Sequence, residues 1–300
     1  MEFPKKVNII EVGPRDGFQN VKDFIDTDHK VKIIELMQRS GVTAVEVTSF
    51  VHPKAIPQMA DAKGVAKRVR GMFPDLRAIA LVPNERGARN AFDCGIREVS
   101  YVISASEAHN LANVRRTIPE SLEGLRQIRE RVPDLVVRLD IATAFGCPYE
   151  GEVPREKVFL LIDEALKAGI REIVLCDTIG IAHPLQVADL AKRVQERYPQ
   201  ETFTMHLHNT RGQGLANIFA AMQQGIRSFE TSVGGLGGCP FAPGAAGNVA
   251  TEDLVNLLDY MKVKHGIGQE QFLQAVDCVK ENVHANLTGN MLKACKYEKI

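Results

Sequence analysis

The fold is decided by the stretch Ala168-Gly169-Ile170-Arg171-Glu172-Ile173-Val174-Leu175-Cys176-Asp177-Thr178, in which a helix ends and a strand begins. The glycine suits the left-handed conformation in which helices commonly end, and the apolar residues after it have the composition of a buried strand. The same unit recurs as Gly41-Val42-Thr43, Gly95-Ile96-Arg97 and Gly225-Ile226-Arg227. These four units precede the second, fourth, sixth and eighth predicted strands, so each repeat contains two βα units.

Strand-length apolar runs alternate with helical periodicity on both sides of this stretch. The predicted strands are nearly continuous in apolar residues, as expected for parallel strands covered on both faces: Val7–Val12, Ala44–Phe50, Arg77–Val82, Glu98–Ser104, Val136–Ala142, Glu172–Thr178, Thr202–His208 and Ser228–Val233. The predicted helices include His29–Ser40, Pro119–Arg131, Val153–Ala168, Pro184–Arg197 and Leu215–Gln224.

Eight βα units predict an α/β fold of the (β/α)8 TIM-barrel type. A doubly wound open sheet is the alternative, but no dinucleotide-binding glycine motif follows the first strand. We expect residues 1–262 to form the catalytic barrel domain and residues 263–300 to form a C-terminal helical extension packed on it.

The composition restricts the class of protein. The chain has 300 residues, 45% of them hydrophobic, with 37 basic and 37 acidic side chains. A net charge of zero disfavours binding to nucleic acid or to an anionic membrane, and the apolar runs are too short to span a bilayer. The six cysteines show no CxxC pairing and no disulfide framework. We therefore expect a reduced, cytoplasmic enzyme that forms a homodimer or a larger homo-oligomer.

Polar side chains follow three strands that become neighbours when a barrel closes. Asp16 lies after the first strand, His206 and His208 lie in the seventh, and Asn248 lies after the eighth. Residues i and i+2 of a strand share a face, so both imidazoles can point into one barrel mouth. Such a set of nitrogen and oxygen ligands suits Mg²⁺ or Mn²⁺ best, with Co²⁺ or Zn²⁺ as alternatives. An isolated His-x-His pair more often belongs to a core, and the Asp and Asn favour the metal site.

Charged side chains surround this predicted metal site. Arg15 supplies a fixed cation where negative charge would develop on a carbonyl oxygen, or it forms a salt bridge with Glu46 or Asp177 across the mouth. Glu46 and Asp177 either orient the metal ligands or are simply paired carboxylates of the mouth.

A glycine-rich stretch from Gly234 to Asn248 contains one reactive side chain, Cys239. Its glycines permit positive φ and a close approach to a ligand. It is not a nucleotide loop of the Walker kind, because no Gly-Lys-Ser/Thr follows it. It is either a flexible connector or a loop that closes over a substrate and presents a thiol as proton donor. The nearby Asp16 and histidines favour the second interpretation.

These residues resemble those of the 3-hydroxy-3-methylglutaryl-CoA lyase family, metal-dependent TIM barrels related to isopropylmalate and homocitrate synthases. The resemblance covers nearly the whole chain. Its most specific motifs are Glu11–Gly17, Thr48–Val51, Gly146–Glu150, Asp177–Gly180 and the loop around Cys239, and that loop is similar to the lyase branch.

The resemblance implies a retro-Claisen cleavage of an acyl-CoA thioester into acetyl-CoA and a keto acid such as acetoacetate. It implies that Arg15 stabilises the enolate and that Cys239 is the general acid. The implied metal ligands are Asp16, His206, His208 and Asn248, and the implied supporting residues are Gln19, Glu46 and Asp177. We expect direct catalytic roles for Asp16, His206 and Glu46, and substrate contacts from Gln19 and Asp177.

Three positions depart from the family pattern: Asp140 replaces the Tyr of an Arg-x-Tyr motif, Asn209 replaces an Asp after the second His, and Cys176 replaces a Gly. We expect Arg138 and Asp140 to contact the acyl group. Asp140 would favour a bulkier or hydroxyl-bearing analogue, unless it is merely paired with Arg138 or Arg15. The alternatives are a related lyase, aldolase or Claisen-type synthase with another acyl substrate, and an inactive scaffold.

Overall fold

The computed structural model describes residues 3–238 and 247–294. Eight parallel strands form a closed barrel in sequential order, because β1 pairs with both β2 and β8. The strands are β1 Asn8–Glu11, β2 Ala44–Ser49, β3 Arg77–Leu81, β4 Glu98–Ser104, β5 Val136–Ala142, β6 Glu172–Asp177, β7 Thr202–Leu207 and β8 Ser228–Thr231. The predicted (β/α)8 barrel is confirmed, and each predicted strand contains one observed strand.

Helices surround the barrel and connect its strands. In chain order they are α1 Thr27–Arg39, α2 Ala62–Met72, α3 Glu85–Asp93, α4 Glu107–Val114, α5 Ile118–Arg131, α6 Arg155–Lys167, α7 Pro184–Arg197, α8 Gly214–Gln223, α9 Thr251–Tyr260 and α10 Gln269–Asn282. The described part of the predicted extension, residues 263–294, contains α10, which packs on α1, and a short 3-10 turn at Asn290–Leu292. Within the described ranges, no helix is long and apolar enough to cross a membrane.

The repeated glycines end helices in the predicted way. Their φ angles are 102° at Gly41, 88° at Gly95, 78° at Gly169 and 88° at Gly225. Each glycine follows the end of a helix by two residues, and a residue with a Cβ would be strained in this left-handed conformation. The unit therefore turns the chain from α1, α3, α6 and α8 into the next strand.

Among the residues that the structure describes, the hydrophobic core has two parts. The larger part lies between strands and helices and buries side chains such as Val45 and Ile33. Fully burying one such aliphatic side chain contributes about 1.5–3 kcal/mol. The smaller part consists of Ile10, Val12, Ala44 and Ile79. Glu46 lies two residues after Ala44 on the same face of β2, so the charged site described below shares the barrel interior with this smaller cluster.

Candidate metal centre and active site

Asp16 is held at the barrel mouth by three neighbouring side chains. It lies in the turn Gly13–Gly17 directly after β1. Its Oδ1 accepts hydrogen bonds from Arg15 Nη1 at 2.7 Å and Gln19 Nε2 at 2.8 Å, and its Oδ2 accepts one from Asn248 Nδ2 at 2.6 Å. Burial raises the pKa of Asp16, but Arg15 and two nearby imidazoles outweigh it and lower the pKa from 3.8 to about 2. The carboxylate is therefore ionised at neutral pH, as a metal ligand must be.

The two histidines of β7 face each other. Their Nε2 atoms are 3.0 Å apart, and His206 Nδ1 lies 2.8 Å from Glu230 Oε2. Burial lowers the pKa of His206, but the Glu230 carboxylate and Asp16 outweigh it and raise the pKa above its ordinary value. A cation bound at Nε2 would therefore displace a proton from this ring. Burial and the neighbouring His206 lower the pKa of His208 from 6.5 to about 3, so this imidazole is neutral. The two Nε2 atoms thus lie close enough together to bind the same cation.

Asn248 completes this group of side chains. Its Nδ2 donates to Asp16 Oδ2 and, at 3.0 Å, to the Leu236 carbonyl. Its Oδ1 is buried and has no hydrogen-bond partner among the described residues. An unpaired buried polar atom costs about 1–3 kcal/mol, so this oxygen is an available ligand position.

The donor set fits a divalent cation. Ligand atoms of Asp16, His206 and His208 all lie within 4.8 Å of one another, and Asn248 Oδ1 is unpaired beside them. Carboxylate and amide oxygens with neutral imidazoles are the ligands expected of Mg²⁺ or Mn²⁺, as well as of softer divalent ions. The structure brings together the four residues that the sequence predicted as metal ligands.

Arg15 is fixed on both sides by carboxylates. Its Nε donates to Glu46 Oε2 at 2.5 Å, while its Nη1 donates to Asp16. Burial lowers the pKa of Arg15, but the two carboxylates raise it well above its ordinary value, so the guanidinium remains a fixed cation. Of the two salt bridges that the sequence offered for Arg15, the structure forms the one to Glu46. Asp177 makes other contacts: its two carboxylate oxygens accept the backbone N–H groups of Ile181 and Ala182.

Arg138 and Asp140 lie on β5 on the same side of the strand. Arg138 donates through Nη2 to Glu230, and its Nε is 3.9 Å from Asp140 Oδ1, which is an ion-pair distance but too long for a hydrogen bond. Within the described part of the chain, Asp140 Oδ1 and Arg138 Nη1 are buried without a hydrogen-bond partner. Burial raises the pKa of Asp140 from 3.8 to about 8 against the attraction of Arg138.

The other two departures from the family pattern differ in their surroundings. Cys176 is buried on β6, where burial and then the nearby Asp140 raise the pKa of its thiol. Asn209 lies after β7, and its side chain accepts the backbone N–H of Gly214 at 2.9 Å. Cys176 therefore belongs to the same interior region as Asp140, whereas Asn209 stabilises the turn before α8.

Cys239 lies outside the described residues, but the chain on both sides of it is described. A Cβ at Gly237, where φ is 121°, would lie 2.5 Å from Asn248 Nδ2 and 3.4 Å from Asp16 Oδ2. A Cβ at Gly247 would lie 2.4 Å from the backbone of Gly237. The two ends of the glycine-rich stretch therefore touch each other directly above the candidate metal ligands.

A family model with the description HMGL-like matches residues 6–279. The chain belongs to the HMGL-like family. The resemblance drawn from the motifs is thereby confirmed. This HMGL-like chain is 44% identical over 298 residues to a hydroxymethylglutaryl-CoA lyase of Bacillus subtilis, with 99% of each chain covered. It is 43% identical over 299 residues to an (R)-citramalyl-CoA lyase of Chloroflexus aurantiacus, which covers 96% of this chain and 94% of that one.

A solved structure extends the comparison of this HMGL-like chain. It is an HMG-CoA lyase from Acinetobacter baumannii in complex with coenzyme A and 3-methylmalate. The two chains are 37% identical with a TM-score of 0.93, over 100% of this chain and 98% of that one. Coenzyme A and 3-methylmalate are ligands of that structure. The two relatives from Bacillus subtilis and Chloroflexus aurantiacus are carbon–carbon lyases.

Sequence reasoning missed a central residue of the HMGL-like site, Glu230. This buried carboxylate lies between Arg138 and His206, and although burial raises its pKa, Arg138 and His206 lower it to about 2. Glu11 was also missed; it accepts the N–H groups of Gly13 and Val233. A glutamate inside an otherwise buried strand was the available signal, because a buried carboxylate needs a partner.

Proposed function

We propose that this protein is a divalent-metal-dependent carbon–carbon lyase that cleaves 3-hydroxy-3-methylglutaryl-CoA, or a close analogue, into acetyl-CoA and a keto acid. The observation that carries the proposal is the convergence of Asp16, His206, His208 and the unpaired Asn248 Oδ1 beside the fixed cation Arg15. The full-length similarity to two acyl-CoA lyases supports it.

Asp16, His206, His208 and Asn248 would hold the cation. When bound, a divalent cation supplies a Lewis acid that polarises substrate oxygens and favours loss of the tertiary hydroxyl proton. Loss of that proton breaks the adjacent carbon–carbon bond, and negative charge develops on the thioester carbonyl oxygen. Arg15 stabilises this charge, and Glu46 keeps the guanidinium in place because its Oε2 accepts the Nε hydrogen bond.

Cys239 would protonate the resulting enolate to give acetyl-CoA. This role rests on its chain position, two residues after Gly237, whose backbone lies against Asn248 and Asp16. An ordinary thiol, with a pKa of about 8.5, is mostly protonated at neutral pH and can donate.

The experiment is a panel of acyl-CoA thioesters assayed with Mg²⁺ or Mn²⁺, each against a chelated control. The expected result is acetyl-CoA release that requires metal and is abolished in His206→Ala. His29→Ala is the matched control, because His29 lies on α1 and pairs only with Asp26 among the described residues. Metal-independent release, or no release from any thioester of the panel, would contradict the proposal.

A second candidate substrate is a citramalyl-type thioester, in which the carboxylate is attached directly to the carbinol carbon. Two observations favour it: the 43% identity to a citramalyl-CoA lyase, and the buried Arg138 Nη1, which has no hydrogen-bond partner among the described residues. Cleavage of such a thioester would give acetyl-CoA and pyruvate. The unpaired Arg138 Nη1 could then bind the shorter acyl carboxylate. Both thioesters therefore belong in the panel, and so does a bulkier, hydroxyl-bearing analogue.

A further inference from the structure

The chain after α10 does not leave the barrel. Residues 283–292, called here the C-terminal strap, run back across the start of the glycine-rich stretch. The backbone N–H groups of Thr288 and Gly289 both donate to the Gly234 carbonyl, at 2.8 and 3.2 Å. The contact is close, because a Cβ at Gly235, where φ is 66°, would lie 2.4 Å from Thr288 Oγ1.

One buried carboxylate fastens the far end of the strap. Asp253, on α9, accepts the backbone N–H of Asn290 at 2.9 Å, the Asn290 side-chain amide at 2.8 Å and the backbone N–H of Met291 at 2.8 Å. Hydrogen bonds to a charged acceptor are about twice as strong as neutral ones. The strap is thus attached to the helix that begins three residues after Asn248.

The segment under the strap sets the orientation of the Asn248 side chain. The Leu236 carbonyl accepts a hydrogen bond from Asn248 Nδ2 at 3.0 Å, one residue beyond Gly235. This contact holds the amide with Nδ2 engaged and Oδ1 unpaired. The backbone around Asn248 is held separately, since Ser232 N–H donates to the Val249 carbonyl and Thr251 N–H donates to the Ser232 carbonyl. The contacts of the strap therefore affect the orientation of the Asn248 side-chain amide more than the path of the backbone around Asn248.

We propose that the C-terminal strap and Asp253 are positioning elements for the metal centre, which press the segment Gly234–Leu236 against Asn248 so that its amide oxygen is presented to the cation. The inference rests on the proposed metal role of Asn248. The strap residues act through Asn248 and do not themselves contact the reacting atoms. Removing the strap should weaken metal binding first, and activity as a consequence.

The test measures Mn²⁺ affinity of the metal-free protein without any substrate. The variants are Asn290→Ala, which removes one of the three hydrogen bonds to Asp253, and a chain that ends at Val283. The control is Asp259→Ala, an exposed carboxylate on the same helix that pairs with His265. We expect the shortened chain to bind Mn²⁺ roughly 10–100-fold more weakly, the range for residues that orient metal ligands. Asn290→Ala should lie between it and the control.

Two further measurements keep the outcomes separate. Saturating Mn²⁺ should restore much of the kcat of Asn290→Ala, which a merely structural defect would not allow. If the shortened chain fails to fold, Asn290→Ala and Asp253→Asn decide the question in its place. Folded variants with the affinity of Asp259→Ala would overturn the strap proposal. Unchanged Mn²⁺ binding in Asn248→Ala would instead overturn the proposed metal site.

Discussion

At the scale of single residues, the chemistry depends on which buried polar atoms have no hydrogen-bond partner. Asn248 Oδ1, Asp140 Oδ1 and Arg138 Nη1 are buried without a partner in the described part of the chain. Groups of this kind are costly in a folded protein unless a ligand pairs with them. They separate the site into a metal side at Asn248 and an acyl side at Asp140 and Arg138.

Cys239→Ser should lower kcat by about 10²–10⁴-fold, the usual contribution of a positioned acid, because a hydroxyl is a far weaker proton donor than a thiol. Mn²⁺ affinity and thioester affinity should stay at the wild-type values. Cys278→Ser, on α10, is the control. A Cys239→Ser enzyme with the wild-type kcat would show that the glycine-rich stretch is only a connector.

Asp140 should make stability decline with rising pH. Its pKa is raised from 3.8 to about 8 by burial, so the folded state keeps a proton that the unfolded chain releases above about pH 4. Its stabilising contribution is full below pH 4 and is lost as pH rises towards 8. The free energy of unfolding of metal-free Asp140→Asn should therefore fall less steeply than that of the wild type between pH 5 and 8. Urea denaturation measures it, and equal slopes would refute it.

Asp140→Tyr should shift selectivity towards 3-hydroxy-3-methylglutaryl-CoA. The larger phenol fills space that the carboxyl leaves and removes its unpaired oxygen. We expect the ratio of kcat/KM for this thioester over a bulkier, hydroxyl-bearing analogue to rise by roughly 10-fold or more, the scale on which pockets discriminate one methylene. Val136→Tyr, at the exposed start of β5, is the control. An unchanged ratio would mean that Asp140 does not select the acyl group.

At the scale of elements, the strands were predictable and several helices were not. Apolar runs of strand length predicted all eight strands, four of them after glycine-terminated helices, whereas α2, α3 and α4 were not among the predicted helices. α2 contains Gly64 and Gly71, and α3 contains Gly87, and glycine lowers the intrinsic helix propensity of these segments. In the site, the polar residues at the end of each individual strand could be predicted from the sequence. The pairing of Glu230 with Arg138 could not, because the two residues are 92 positions apart and meet only across the closed barrel.

The close approach of the glycine-rich stretch gives a prediction for Gly237. Gly237→Ala should displace the Asn248 amide, because the new Cβ would lie 2.5 Å from Nδ2. We expect Mn²⁺ affinity to fall roughly 10–100-fold. Gly212→Ala is the matched control, since Gly212 also has a positive φ of 70° but a Cβ there would meet no heavy atom within 4 Å in the described part. Equal Mn²⁺ affinities of the two variants would contradict the steric argument.

At the scale of the whole molecule, the metal should stabilise the fold, because its proposed ligands come from the ends of β1, β7 and the chain after β8. Mn²⁺ at 100 times its Kd should raise the free energy of unfolding by about 2.7 kcal/mol. Denaturation with and without chelator measures this. His206→Ala and Asp16→Ala should lose the response and His29→Ala should keep it. Full metal occupancy in a variant lacking both His206 and His208 would exclude the site.

The division into a barrel of residues 1–262 and an extension of residues 263–300, and the formation of a homo-oligomer, stay predictions. The first depends on whether the barrel is stable without α10, which packs on α1. The second is tested by the molecular mass of the protein in solution.

Glu230 has a consequence for how this enzyme could change its substrate. One carboxylate accepts hydrogen bonds from Arg138 on the acyl side and His206 on the metal side. A mutation that removes Arg138 to admit a new acyl group also alters the basicity of His206, a proposed metal ligand. Such changes are expected to be epistatic, and a double-mutant cycle between positions 138 and 206 would measure the coupling. Evolution of a new specificity here is therefore easier through Asp140, which has no direct hydrogen bond to Glu230 among the described contacts.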